Sequence, residues 1–160
     1  MPLERMWAGW RGEYVAGAAA TDKGECVLCG VIEREENVLW RGAHCIAVLN
    51  IYPYTSGHCM VMPLRHVGDF EALTAEEAAE LTGGLRDAAV ALKAAYSPDG
   101  LNLGANIGRV AGAGVPGHFH WHALPRWNGD TNFMTTIAEA RVTPEALGTT
   151  LAKLRAAWPS

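Results

Sequence analysis

The sequence predicts a domain of mixed α and β structure, and three observations carry that expectation. Short strand-like runs bounded by turn residues occupy Val38–Trp40, Cys45–Leu49 and His58–Met62, and return at Leu101–Ile107 and His118–Leu124. Between the two groups lies one long apolar stripe with a helix-start signature, and a second stripe closes the chain. The richest run is His118-Phe119-His120-Trp121-His122-Ala123-Leu124, where three histidines alternate with apolar residues. On a strand, successive side chains alternate between faces, so this pattern predicts one face of imidazoles and one of core. Packing explains a lone histidine well enough. Three in register over about 13 Å of strand, at about 3.3 Å per residue, point to chemistry.

The 160 residues, 49% of them hydrophobic, suit one domain over 1–160 with a core that needs no covalent staples. The formal net charge of −4 argues against a general nucleic-acid or membrane surface, while local donors can still hold a small anion. The start Met1-Pro2-Leu3-Glu4-Arg5-Met6-Trp7 lacks a signal-peptide run, and no stretch approaches the ~20 apolar residues of a membrane span. A soluble cytoplasmic protein is expected.

Residues 1–24 set Trp7, Trp10 and Tyr14 among glycines and alanines, which predicts an irregular arm whose rings dock on the main body. Cys26 and Cys29 then form a Cys-x-x-Cys in a segment that reads as a tight turn or knuckle. Without a secretion signal, the pair favours metal or redox use over a structural disulfide. Cys45 and Cys59 fall inside apolar runs and are expected to be buried small hydrophobes. The first two runs, joined through Arg41-Gly42-Ala43, should pair as a hairpin, and Pro63 should end the third.

The long helix is the clearest element. Thr74-Ala75-Glu76-Glu77 matches a capping box, Leu73 can serve as its hydrophobic staple, and Leu81, Leu85, Ala88, Leu92 and Tyr96 continue one stripe to Ser97-Pro98. Gly83 and Gly84 each cost about 1 kcal/mol inside it relative to alanine, which implies either a close backbone approach or surface tolerance. A glycine-rich loop, Gly108 to Gly117, leads directly into the histidine run. At the end, Thr143 as N-cap, Pro144 at the first helical position and Leu147, Leu151, Leu154 and Trp158 on one stripe predict a helix over 143–158.

A neutral imidazole is a competent nucleophile toward phosphorus, and the central histidine, His120, is the natural candidate. Main-chain N–H groups of the glycine-rich loop can approach phosphate oxygens, and neighbouring imidazoles can donate to developing charge. Separately, zinc prefers four cysteine or histidine ligands, so Cys26 and Cys29 need two histidines, with His44, His58, His66 and His118 as candidates.

The run His118–Leu124 fits the His-φ-His-φ-His-φ-φ signature, and the chain resembles the histidine triad (HIT) superfamily of nucleotidyl hydrolases and transferases. The likeness extends over Asn50 to His58, Pro63-Leu64-Arg65-His66, Asn106 to Gly117 and the tail Pro125 to Phe133. With Trp7 to Tyr14 ahead of the cysteine pair, it is most similar to the bacterial branch of diadenosine tetraphosphate phosphorylases and related dinucleoside polyphosphate hydrolases. The resemblance implies an α+β, HIT-like fold with a five-stranded antiparallel sheet, a catalytic core over 25–135 and a homodimer in which two sheets join around the long helix.

It also implies roles. His120 would be the nucleophile at the α-phosphorus, His122 would bond phosphate oxygens or the leaving group, and His58 would support them from the facing strand. Asn50 would hold ribose hydroxyls with Ile51 near the base, and Asn106 with the backbone of Ala113 and Gly114 would hold phosphates. Cys26, Cys29, His66 and His118 would bind a structural zinc, leaving His44 out. One departure is that fragile-histidine-triad hydrolases carry a glutamine shortly before the triad, whereas this chain reads Ala113-Gly114-Val115-Pro116, which leaves water and inorganic phosphate both open as acceptor. Two other readings compete: a nucleotide-binding zinc protein acting through partners, and a catalytic metal held by His118, His120 and His122 together.

Overall fold

The computed structural model describes residues 26–130 and 145–159. Its elements run α1 (Val27–Arg34), β1 (Val38–Arg41), β2 (Cys45–Leu49), β3 (Cys59–Pro63), α2 (Ala75–Tyr96), β4 (Gly100–Gly104), β5 (Trp121–Arg126) and α3 (Leu147–Ala157), with single 3-10 turns at Phe70–Ala72 and Arg109–Ala111. The five strands form one sheet in the order β1-β2-β3-β5-β4, and every neighbouring pair is antiparallel. This is the α+β, five-stranded arrangement that the resemblance implies.

Alternation along the strands divides the sheet into two working faces. Cys45, Ala47, Leu49, Cys59, Val61 and Ala123 join Leu81, Ala88, Ala91 and Leu92 of α2 and Leu154 of α3 in the main core. Ile46, Val48, Met60 and Met62 point the other way and meet Leu28 and Ile32 of α1. Both central strands, β2 and β3, are therefore buried on both sides, which explains their unbroken apolar sequence. Cys45 and Cys59 are fully buried, and burial pushes both thiols up to about 12, so they are packing residues rather than reactive ones.

Helix α2 begins as its sequence predicts. The Thr74 hydroxyl accepts from the Glu77 N–H at 3.2 Å, and the Glu77 carboxylate accepts from the Thr74 N–H at 2.9 Å, completing the capping box. At its far end Ser97 adopts a left-handed conformation and returns its N–H to the Lys93 carbonyl. The two interior glycines separate in role. A Cβ on Gly84 would stand 3.0 Å from Val61 Cγ1 and 3.1 Å from the Trp40 ring, whereas one on Gly83 would meet nothing within 4 Å. Gly84 thus lets the helix lie close on the sheet, and Gly83 is the tolerated one.

Three expectations shift. The turn predicted between Cys26 and Cys29 is the first turn of α1, with Cys26 at its N-cap, because Leu28 and Ile32, one turn apart, bury against the sheet. The histidine run enters the sheet only at Trp121: the Phe119 N–H pairs with the Val67 carbonyl at 2.7 Å, and the His118 N–H turns to Val115, so neither bonds to β3. The last helix starts at Leu147 rather than at 143; Thr143 and Pro144, like the arm with Trp7, Trp10 and Tyr14, lie outside the described residues. Glu145 ties α3 to α2, accepting from the Tyr96 hydroxyl at 2.6 Å and the Thr150 hydroxyl at 3.0 Å and pairing with Lys153.

Candidate functional site

The face of the sheet opposite α2 carries the histidines. Phe119 and Ala123 sit in the α2 core and Trp121 packs against it, while His118, His120 and His122 turn the other way and are buried, between 0% and 9% exposed. The predicted division of histidines and core residues between two faces holds even where the ladder bonds are absent. Beside them, His58 is fully buried just ahead of β3, and His122 faces Met60 across the β3–β5 register.

Hydrogen-bond partners that can only accept or only donate fix which nitrogen of each ring carries its proton. His118 Nε2 lies 2.9 Å from the Pro63 carbonyl and His120 Nδ1 lies 2.7 Å from the His118 carbonyl, so each of these nitrogens donates. The opposite nitrogen, Nδ1 of His118 and Nε2 of His120, then presents a lone pair. His58 Nε2 lies 2.9 Å from His122 Nδ1. The Tyr54 ring covers this pair, with centroids 4.6 Å from His58 and 5.9 Å from His122.

Burial disfavours charge on all three triad rings. It lowers His118 and His120 below the usual histidine value, each partly offset by its bond to a carbonyl. Burial, reinforced by the charge of neighbouring His120, pushes His122 down to about 4. The site therefore holds neutral imidazoles at pH 7: one aims a lone pair, and its neighbour can donate.

Four of the metal candidates gather in one place. Ligand atoms of Cys26, Cys29, His66 and His118 all lie within 4.8 Å of one another. His118 Nδ1 stands 3.6 Å from Cys26 Sγ and 3.5 Å from Cys29 Sγ, and His66 Nδ1 stands 3.3 Å from Cys29 Sγ. Tetrahedral zinc with ~2.3 Å Zn–S and ~2.05 Å Zn–N bonds requires sulfur and nitrogen ~3.6 Å apart. The donor set, its spacing and the lone pair on His118 Nδ1 all fit, so these four residues could hold zinc. His44 is exposed and takes no part. Among the described residues the triad histidines form no metal cluster of their own, since His118 turns to the cysteines while His120 Nδ1 and His122 Nδ1 are already engaged.

Arg65, next to His66, forms a two-pronged ion pair with Glu77, at 2.9 and 2.8 Å, and also donates to the Ala72 carbonyl. The cap of α2 thereby anchors the Pro63–His66 segment. Nothing in the spacing of Glu77 distinguishes this second duty from capping alone.

The nucleotide candidates are arranged less uniformly. Asn50 sits at the end of β2 with its Oδ1 accepting from the Tyr52 N–H at 2.9 Å and its Nδ2 turned to His58. Ile51 beside it is 47% exposed. Asn106 Nδ2 reaches the Gly112 carbonyl at 3.4 Å, which braces the glycine-rich loop. The Ala113 N–H closes on the Gly108 carbonyl at 3.2 Å, whereas no such bond involves the Gly114 N–H among the described residues. Sequence reasoning missed the main-chain participants, Pro63 O, His118 O and Tyr54 N–H, because any residue type supplies them.

This sheet with a histidine triad on one face defines the class, and the HIT domain family matches residues 31–129: the chain belongs to that family. It is 37% identical over 165 residues to the AP-4-A phosphorylase of Mycobacterium tuberculosis, covering 98% of this chain and 85% of that protein. Among solved structures, a hypothetical histidine triad nucleotide-binding protein from Sulfolobus tokodaii matches with a TM-score of 0.69 and 29% identity, over 82% of this chain and 91% of that one. A Zn-bound histidine triad family protein from Mycobacterium smegmatis matches with a TM-score of 0.69 and 28% identity, over 83% of this chain and 92% of that one.

Proposed function

We propose that the protein cleaves dinucleoside polyphosphates of the diadenosine tetraphosphate kind at the α-phosphate, through a nucleotidyl group carried on His120. The observation that carries the reading is the lone pair on His120 Nε2, fixed by the 2.7 Å bond from Nδ1–H to the His118 carbonyl and kept unprotonated by burial. In the first step Nε2 bonds to the α-phosphorus and the bond from that phosphorus to the bridging oxygen breaks, releasing ATP from the tetraphosphate. In the second, an oxygen of inorganic phosphate or water bonds to phosphorus and the N–P bond breaks. Phosphate yields ADP and water yields AMP. The name of the relative, 37% identical, supports phosphate as the acceptor.

His122 donates to phosphate oxygens or the leaving group, with His58 behind it. Asn50 and Ile51 receive the nucleoside, and Asn106 with the Gly114 N–H holds phosphates. The Ala113 N–H joins them by exchanging its Gly108 partner for a phosphate oxygen. Cys26, Cys29, His66 and His118 bind the zinc, which with four protein ligands acts structurally; its contribution is to fix α1 against the triad segment. Strand β4 lies at the sheet edge with Leu103 45% exposed, which suits a homodimer that pairs two such edges. A cytoplasmic location accords with the described helices, none of which is long and apolar enough to cross a membrane.

The test is a product analysis of diadenosine tetraphosphate incubated with and without inorganic phosphate, together with adduct mapping by mass spectrometry on enzyme quenched in alkali, where an N–P bond survives. ADP with ATP and an AMP-sized adduct on His120 are expected. Turnover that survives His120→Ala in a folded protein would remove the nucleophile.

A further inference from the structure

His58 is fully buried, and its two ring nitrogens face different partners. On the Nδ1 side the Tyr54 main-chain N–H approaches to 3.1 Å, and it can only donate. The Asn50 side chain adds a second donor. Its Oδ1 is occupied by the Tyr52 N–H at 2.9 Å, so the group turned toward the ring is the amide NH2. Asn50 Nδ2 lies 3.3 Å from His58 Nδ1 and 3.4 Å from Nε2. Because Nε2 already faces His122 Nδ1 at 2.9 Å, the ring can accept from Asn50 only at Nδ1.

A neutral imidazole has one N–H and one lone pair. With two donors converging on Nδ1, a proton there would point at N–H groups inside a buried site, where such a clash is screened least. The His58 proton is therefore on Nε2, directed at His122 Nδ1. That nitrogen must accept, which leaves the proton of His122 on its own Nε2.

We propose that Asn50 and the main-chain amide of Tyr54 are positioning groups which, acting through His58, dictate that His122 carries its proton on Nε2 and so meets the substrate as a donor. His120, two residues away, is held in the opposite arrangement by the His118 carbonyl. Neighbouring imidazoles, His120 just ahead of β5 and His122 on it, are thus set to contrasting tasks: one offers a lone pair, the other an N–H. The use of that N–H on a phosphate oxygen rests on the function proposed above; the placement of the proton does not. Asn50, expected from the resemblance to bind ribose, gains a second duty that its side chain performs with no substrate present.

The experiment is long-range proton–nitrogen correlation spectroscopy of the full-length, 15N-labelled protein at pH 7.5, in which protonated and bare ring nitrogens have well-separated shifts. Expected in the unmodified protein are N–H at Nε2 of His58 and His122 and at Nδ1 of His120. A bare Nε2 on His122 would overturn the proposal without recourse to any variant. In Asn50→Asp the donor becomes an acceptor, so His58 should gain a proton on Nδ1. Tyr54→Ala keeps the amide and should leave all three rings as they were. An unaltered His58 in Asn50→Asp, or an altered pattern in Tyr54→Ala, would count against the scheme. Adduct mapping on the same samples separates the two ideas: no adduct on His120 beside an intact proton pattern sinks the nucleophile alone.

Discussion

Replacing Glu77 by glutamine keeps the shape of the side chain and removes its charge, and the structure fixes both the size and the pH dependence of the effect. The carboxylate is 7% exposed, accepts two bonds from Arg65 and one from the Thr74 N–H, and is held by the Arg65 guanidinium well below its ordinary range, at about 2 instead of 4.5. At ~1.4 kcal/mol per pH unit that difference corresponds to ~3.5 kcal/mol as an upper figure. The Arg65 side chain is 50% exposed, so solvent screening reduces it to about 1.5–2 kcal/mol. For a domain of this size the melting temperature should fall by roughly 3–8 °C.

The folded carboxyl value lies below the unfolded one, so the contribution is complete above the unfolded value near 4.5 and disappears as pH falls through about 2. Urea unfolding of parent and Glu77→Gln proteins, followed by tryptophan fluorescence with chelator present throughout, should show a gap that is level from pH 7 to about pH 5 and closes toward pH 2. A gap that stays constant down to pH 2.5 would mean that the ion pair contributes nothing and that only packing was disturbed.

Cys26→Ser should lower the zinc content measured after exhaustive dialysis and reduce the melting temperature, since a metal set that loses a thiolate binds more weakly; an unchanged stoichiometry would remove Cys26 from the site. Gly84→Val should destabilise by about 1–3 kcal/mol through overpacking against Val61 and Trp40. Gly83→Ala, in open space, should stabilise by roughly 0.5–1 kcal/mol in chemical denaturation, and a loss there would show that a second surface packs on it. Leu154→Ala, at a fully buried α3 position, should cost about 2–5 kcal/mol, and a smaller loss would mean that α3 is weakly docked.

The readable parts of the sequence were those where side-chain type decides. Strand alternation placed Phe119 and Ala123 in the core and turned the three histidines away from it, and the capping box located the start of α2 to the residue. The choice among metal candidates required the resemblance: spacing left four histidines open, and the folded chain brings His66 and His118 to the cysteines, as a group that could hold a metal, while leaving His44 exposed. Local turn chemistry misplaced the segment around Cys26, where the burial of Leu28 and Ile32 favours a helix over a knuckle. Proton positions were illegible, because the atoms that choose them belong to the backbone.

That last feature bears on how the family should respond to mutagenesis. The Pro63 carbonyl, the His118 carbonyl and the Tyr54 amide persist through almost any exchange of side chain at those positions. Alanine scanning would score Tyr54 by the worth of its ring alone and leave the contribution of its amide invisible. Proline at 54, or an ester in place of that one amide, is the substitution able to reveal it.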